Sequence, residues 1–129
     1  MTTALKNKPK RQRATVILLR DNAVLLTFTH SGIALLPGGN IERGELAIMA
    51  AARELYEETS LIATSLRFVF EHESNTTIHQ VFLAEADGNP VAGDDAAALA
   101  FHAGNPAGAA HKLSPGTIDI LTRFQHQTK

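Results

Sequence analysis

Three glutamates crowded within two turns of one helix set the tightest constraint on this chain. Residues 39 to 61 read GNIERGELAIMAAARELYEETSL and are entered through the glycine turn Pro37-Gly38-Gly39. A helix is predicted from Leu46 to Thr59. At about 100° per residue, with Glu54 at zero, Glu57 falls near 300° and Glu58 near 40°, so the carboxylates share one arc. Leu55, Ile48, Ala52, Tyr56 and Met49 fall between about 100° and 220°. That apolar stripe is expected to dock on a core and leave the other face to its carboxylates. Ala47, Ala50 and Ala51, beside the acidic arc, have almost no side chain and would let another group approach closely.

Like charges at i,i+4 destabilise a solvated helix by only about 0.2–0.5 kcal/mol per pair, so an isolated E-x-x-E-E reads as a solvated acidic face. The competing reading is a cation held between the carboxylates. Hard oxygen ligands in a close cluster suit Mg²⁺, Mn²⁺ or Ca²⁺ rather than zinc, which prefers nitrogen and sulfur. Arg53 can pair with Glu57 one turn on and hold that carboxylate in place.

The string Gly39-x5-Glu45-x7-Arg53-Glu54-Leu55-x-Glu57-Glu58-x-Ser60-Leu61 resembles the Nudix box, G-x5-E-x7-R-E-U-x-E-E-x-G-U, where U is a bulky aliphatic residue. Eight of its nine specified positions match, a coincidence expected on the order of once in 10⁸ to 10⁹ windows at average residue usage. The resemblance implies an α/β/α sandwich, α helices on either side of a mixed β-sheet. It also implies hydrolysis of a nucleoside diphosphate linked to another group, with Mg²⁺ as cofactor and Mn²⁺ as a substitute. On the same ground Glu57 and Glu58 are expected as the principal metal ligands, and Glu54 as a ligand or the base that orients water. The Gly39 carbonyl is a further candidate ligand, and the Gly38-Gly39 turn is expected to touch substrate. Arg53 would orient a carboxylate, and Glu45 would act from behind the ligands or as a charge near the helix N-terminus. Ser60 departs from the pattern, standing where the family has glycine. A left-handed non-glycine residue there costs about 1–2 kcal/mol, so the helix either keeps that closure at a cost or ends in another way.

Charge along the chain is uneven. Lys6, Lys8, Lys10, Arg11 and Arg13 hold five of the twelve basic residues, and the chain beyond them carries a balance of −6. Residues 1–12 are expected as a flexible basic arm and residues 13–129 as one Nudix-type domain. The arm has no aromatic residues to stack on bases, which disfavours nucleic acid as a partner. No apolar run approaches the roughly 18 residues that cross a bilayer. The absence of cysteine excludes disulfides and thiolate ligands. A cytoplasmic protein with no membrane partner is the expectation.

Ala14 to Leu19 and Ala23 to Phe28 are β-rich runs around Asp21-Asn22, a hairpin turn signal. Their apolar residues barely alternate, which predicts strands covered on both faces. Ile33 to Leu36 is expected as a short strand, Leu66 to Glu73 and Thr77 to Glu85 as a second hairpin, and Ala97 to His102 as a further strand. A long Gly/Ala-rich connection runs from His102 to Lys112. Ser114 and Pro115 suit the N-cap and first position of a last helix to about Gln125. If the second hairpin turns at Asn75-Thr76, Leu66, Phe68, Phe70 and His72 face Glu85, Leu83, Val81 and His79. Glu85 is then a candidate fourth carboxylate by family resemblance, with a surface glutamate as the alternative and Asp94 and Asp95 as rivals. His72 and His79 lack a convincing third ligand and read as hydrogen-bonded histidines. The Phe residues and Tyr56 are assigned to the core, with Phe101 a candidate to stack on a base.

The substrate expected is a small nucleotide diphosphate derivative, such as a nucleoside triphosphate or an ADP-ribose-like compound. The rival is a catalytically silent Nudix fold that binds a nucleotide or protein as a sensor. Pairing into a homodimer is left open.

Overall fold

In the computed structural model, residues 9–93, 96–104 and 112–127 are described. The arm up to Lys8, the pair Asp94 and Asp95, and most of the late connection lie outside them. Strands β1 (Arg11–Arg20) and β2 (Ala23–Phe28) form the first hairpin, Arg20 pairing with Ala23. Asp21 (φ 50°) and Asn22 (φ 65°) form its two-residue turn. Two successive positive φ values match the twist of paired strands, and Asp and Asn tolerate them better than most residues. There follow β3 (Ile33–Leu35), β4 (Gly38–Asn40), α1 (Ala47–Thr59), β5 (Ala63–Glu73), β6 (Thr77–Ala86), β7 (Ala98–Ala103), β8 (Lys112–Leu113) and α2 (Pro115–Gln127).

The strands run in the order β5-β6-β1-β2-β3-β8, with β4 also on β1 and β7 also on β2. Strand β1 is parallel to β6 and antiparallel to β2 and β4, so the sheet is mixed. Its two faces carry separate cores. Ile17, Val24, Leu26 and Val81 meet Ile120, Leu121 and Phe124 of α2. Ala14, Val16, Leu18, Leu25, Phe82 and Ala84 meet Ala50, Ala51 and Leu55 of α1. Alternate residues of β1 thus enter opposite cores, which is why that strand is apolar without alternating. The architecture is the expected α/β/α sandwich. Helix α2 begins as the sequence suggests, with the Thr117 N–H donating to the Ser114 hydroxyl at 3.2 Å.

Several expectations are corrected. Helix α1 docks through a face rotated from the predicted stripe toward the acidic arc, keeping Leu55 but not Ile48, Met49 or Tyr56. Ala50, Ala51 and Leu55 are buried, whereas Ile48, Met49 and Tyr56 are 42%, 55% and 56% exposed. The alanines let the helix lie close on the sheet, and this puts Glu54 and Glu58 on the docking side. The second hairpin holds its predicted pairing from Glu73↔Ile78 to Phe70↔Val81, then shifts by one residue at a bulge. Phe68 therefore pairs with Phe82, Leu66 with Ala84 and Ser65 with Glu85. A bulge adds a residue to one strand and resets every pairing beyond it. Phe68 consequently stands 51% exposed rather than in the core. Gly38 and Gly39, expected as a turn, pair with Thr15 and Ala14 as part of β4. Arg11 to Arg13 belong to β1 because β6 pairs with them from Thr77 onward. The short β8, which pairs with β3, was not expected from the sequence. No described helix is long and apolar enough to cross a membrane.

Candidate active site

The site forms where α1 crosses the junction of β1 and β4. A Cβ on Gly38 would overlap the Ala14 carbonyl oxygen, and one on Gly39 would overlap the Glu54 carboxylate. Glycine at both positions lets a neighbouring strand and a side chain close on bare backbone. The Gly38 N–H donates to Glu58 Oε1 at 3.0 Å.

Arg53 organises the other carboxylates. Its Nε donates to Glu45 Oε2 at 2.8 Å and its Nη2 to Glu45 Oε1 at 3.0 Å, a two-pronged pair. Nη2 also reaches the Asn40 carbonyl at 3.0 Å. Nη1 spans Glu54 Oε2 at 3.0 Å and Glu57 Oε1 at 3.1 Å. Glu45 Oε1 additionally accepts the Glu42 N–H at 2.9 Å. The Arg53 hydrogen bonds, helped by that N–H, hold the Glu45 carboxyl down to about 2. The same pairing, led by Glu45, raises Arg53 above its ordinary value.

Glu54 and Glu58 are under the opposite pressure. Burial raises both carboxyls, Glu58 to about 7, against the lowering effect of the Gly38 N–H and Arg13 on Glu58 and of Arg53 on Glu54. Burial in turn lowers the Arg13 guanidinium, with Glu58 opposing that shift. Two carboxylates whose burial outweighs their hydrogen-bond and charge partners fit a hard divalent cation, which their oxygens suit. In the arrangement observed, Glu58 turns to Gly38 while Arg53 spans Glu54 and Glu57. Among the described residues no group of three histidine or carboxylate side chains converges as a ready metal cage.

The remaining candidates are not brought to this cluster. Glu85 is exposed and pairs with Ser65. Because Phe82, Ala84 and Ala86 contact the core under α1, strand alternation puts Glu85 on the other face of the sheet. Phe101 pairs with Leu25, and the Arg20 guanidinium lies 5.7 Å from its ring centre. It sits toward the far end of β2 from Phe28, which lines a cavity together with Glu58. His72 and His79 are cross-strand neighbours with ring centres 6.0 Å apart, and His79 Nδ1 lies 2.9 Å from the Thr15 hydroxyl. Burial first, then the charge of Arg13, pushes the His79 imidazole down to about 4.

Two cavities of about 110 Å³ adjoin the cluster and share Leu35. One is lined by Glu58, Phe28, Thr27, Thr29 and Ala96. The other lies toward α2 and takes in Arg11, Arg13, Thr15, His79 and Ser114. A larger cavity of about 230 Å³, lined by Leu19, Val24, His102, Leu121 and Phe124, shares no lining residue with either. Arg13, His79 and Phe28 are thus neighbours of the site that the sequence did not single out for it. The available signal was Arg13, directly preceding the first predicted strand rather than belonging to a loose arm.

Ser60 keeps the left-handed closure of the glycine it replaces, at φ 65° and ψ 8°, with its N–H on the Tyr56 carbonyl at 2.8 Å. Its hydroxyl donates to the Val91 carbonyl at 3.0 Å. One such bond contributes about 1 kcal/mol, comparable with the left-handed penalty of about 1–2 kcal/mol.

The chain is similar to a nudix hydrolase family member from Chromobacterium violaceum, with 30% identity and a TM-score of 0.84 over 92% of this chain and 79% of that one. A MutT NUDIX hydrolase from Burkholderia pseudomallei shares the fold at 23% identity and TM-score 0.76, over 89% of this chain and 98% of that one. So does a bifunctional NMN adenylyltransferase/ADP ribose pyrophosphatase from Francisella tularensis, at 24% identity and TM-score 0.76, over 98% of this chain and 45% of that one. No curated protein sequence matches the chain. The NUDIX domain family model matches residues 9–123, and with the box residues gathered at the β1–β4 junction, this chain belongs to the NUDIX family.

Proposed function

We infer that the chain is a divalent-metal-dependent pyrophosphohydrolase acting on a small nucleotide, either a nucleoside triphosphate or an ADP-ribose-like compound. Family membership supports a pyrophosphohydrolase-type reaction in general. The observation that carries the finer reading is the pair of desolvated carboxylates, Glu54 and Glu58, seated against Gly38 and Gly39 near Arg13 and a cavity lined in part by Arg11, Thr15 and His79.

Glu57 and Glu58 are the principal ligands in this reading, joined by Glu54 and the Gly39 carbonyl. These groups would hold Mg²⁺ or Mn²⁺, whose charge would offset that of the diphosphate and lower the pKa of a bound water. Arg53 positions Glu54 and Glu57 while Glu45 fixes Arg53. Glu58, raised by burial to about 7, can take up a proton near neutral pH, and burial shifts the Glu54 carboxyl in the same direction. Arg13 and Arg11 supply positive charge to the cavity toward α2, and Thr15, His79 and Ser114 supply polar contacts there. Phe28 flanks the cavity at Glu58. The Francisella enzyme was solved with AMP and manganese, a combination that suits trials with both nucleotide and Mn²⁺. Phe101 and Glu85 are left out of the assignment, being placed away from the cluster.

A panel of nucleoside di- and triphosphates, ADP-ribose and dinucleoside polyphosphates tests the reading, with phosphate or pyrophosphate release measured under Mg²⁺ and Mn²⁺. Turnover of one compound is expected. Nucleotide binding without any turnover would instead establish the silent sensor. Gly39→Ala is a sharper check. The obstructing atoms belong to a side-chain end and Gly39 does not need a left-handed backbone. Stability should therefore change by about 1 kcal/mol or less, while displacement of Glu54 lowers kcat about tenfold or more. Urea unfolding beside steady-state kinetics compares the two effects.

A further inference from the structure

The last carbonyls of helix α1 are held by a neighbouring segment. The Val91 N–H donates to the Thr59 carbonyl at 2.8 Å, and the Gly93 N–H to the Glu58 carbonyl at 3.1 Å. The Ser60 hydroxyl donates to the Val91 carbonyl at 3.0 Å, closing the contact from the helix side. Gly93 lies so close that a Cβ there would overlap the Glu57 carbonyl oxygen. The segment is anchored beyond the helix too. The Ala96 N–H returns to the Gly93 carbonyl at 3.0 Å, and the Ala97 N–H donates to the Phe28 carbonyl at 2.8 Å. Ala96 and Phe28 line the same cavity as Glu58.

The last carbonyls of a helix have no partner inside it, and water or a glycine closure commonly serves them. Here two of them are held by backbone donors from a segment that also touches the wall of the cavity. The two residues whose carbonyls Gly93 meets are Glu57 and Glu58. Their side chains swing from Cα atoms whose peptide groups the segment fixes. A small displacement of a charged group at a reacting centre costs rate far more than it costs stability. Ser60 matters for the same reason, because its hydroxyl ties the segment to the helix end in a way that glycine cannot.

We propose that residues 91–93 and the Ser60 hydroxyl form a strap that positions Glu57 and Glu58 for cation binding, making Ser60 and Gly93 positioning residues of the site. The proposal rests on the reading of Glu57 and Glu58 as metal ligands. It separates positioning from fold stability by sign. Ser60→Gly relieves a left-handed non-glycine residue and cuts the tie to Val91, so the fold gains or holds stability while the site loosens.

The test measures Mn²⁺ binding by calorimetry, the thermal midpoint of the metal-free protein, and kcat and KM separately. Ser60→Gly is expected to match or exceed the parent in thermal midpoint. It should bind Mn²⁺ about three- to tenfold more weakly and lose kcat by a similar factor at unchanged KM. Gly93→Ala should show a larger loss of Mn²⁺ affinity, tenfold or more; should that variant fail to fold, Ser60→Gly decides alone. A Ser60→Gly protein that binds Mn²⁺ as tightly as the parent overturns the strap while leaving the hydrolase reading intact. A parent protein that binds no Mn²⁺ overturns the ligand reading, and the strap proposal with it.

Discussion

Glu58→Gln is expected to lower kcat/KM by about 10²–10⁴-fold and, in the metal-free protein at pH 8, to raise stability. The two effects share one cause. Burial lifts the Glu58 carboxyl to about 7, against the lowering influence of the Gly38 N–H and Arg13. Its folded value therefore lies above the ordinary one near 4.3, and the folded protein binds more protons than the unfolded chain between those values. Stability from this group is fully present below the unfolded value and is lost as pH rises through about 7. Glutamine keeps an oxygen for the Gly38 N–H and carries no charge to desolvate. Arg13 is not stranded by the change, since it still donates to the Leu36 carbonyl and the Thr15 hydroxyl. Allowing for solvent screening of a partly exposed group, the variant should gain roughly 1–2 kcal/mol at pH 8 and almost nothing at pH 4. Urea unfolding in EDTA at both pH values reads the difference. A variant destabilised at pH 8 would show that Glu58 holds the fold together, and that its charge is not being kept there for a cation.

Such a tension between fold and charge was only half visible in the sequence. The box spacing named the carboxylates and the arginine, and an angular projection put Glu54, Glu57 and Glu58 on one arc. It assigned the docking face to the apolar stripe on the far side, whereas the acidic arc borders the face that meets the sheet. Size was a poor guide, because Ile48, Met49 and Tyr56 are large but exposed while the small side chains of Ala50 and Ala51 are buried. Close approach of a helix to a sheet rewards small residues, and Gly39 leaves room for the Glu54 carboxylate of that helix. The pairing of β5 with β6 was legible only up to the bulge between Phe68 and Phe70, since one extra residue leaves no mark in a run of apolar and polar side chains. That slip carried Glu85 into a predicted alignment with Leu66, whereas it pairs with Ser65. By contrast the Asp21-Asn22 hairpin and the Ser114 cap were readable, because both are local geometries that specific side chains favour wherever they occur. Ser60 was recognised as a departure from the box, but its compensating partner is Val91, a contact across 31 positions that only the folded chain displays.

Arg53→Lys is expected to cost about 10²-fold in kcat/KM although the charge is retained. The arginine makes five hydrogen bonds to four residues: two to Glu45, and one each to Glu54, Glu57 and the Asn40 carbonyl. A planar guanidinium can do this because its donors are fixed in a fork, whereas an ammonium is a compact charge with three rotatable donors. Lysine can satisfy Glu45 or the Glu54–Glu57 pair, and not both in the present geometry. The misplacement falls on carboxylates that must hold their positions to within a fraction of an ångström. Stability should fall by about 1–2 kcal/mol, less than for a fully buried network because the arginine side chain is 26% exposed. The pH dependence of that loss distinguishes the fork from the charge. Glu45 is held down to about 2 chiefly by its hydrogen bonds from Arg53, so its contribution is present above the ordinary carboxyl value and is lost as pH falls through about 2. If the fork is responsible, the lysine variant loses that contribution, and its unfolding free energy falls less steeply than the parent's between pH 4.5 and 2. Parent-like acid sensitivity together with parent-like turnover would mean that a single positive charge at position 53 suffices.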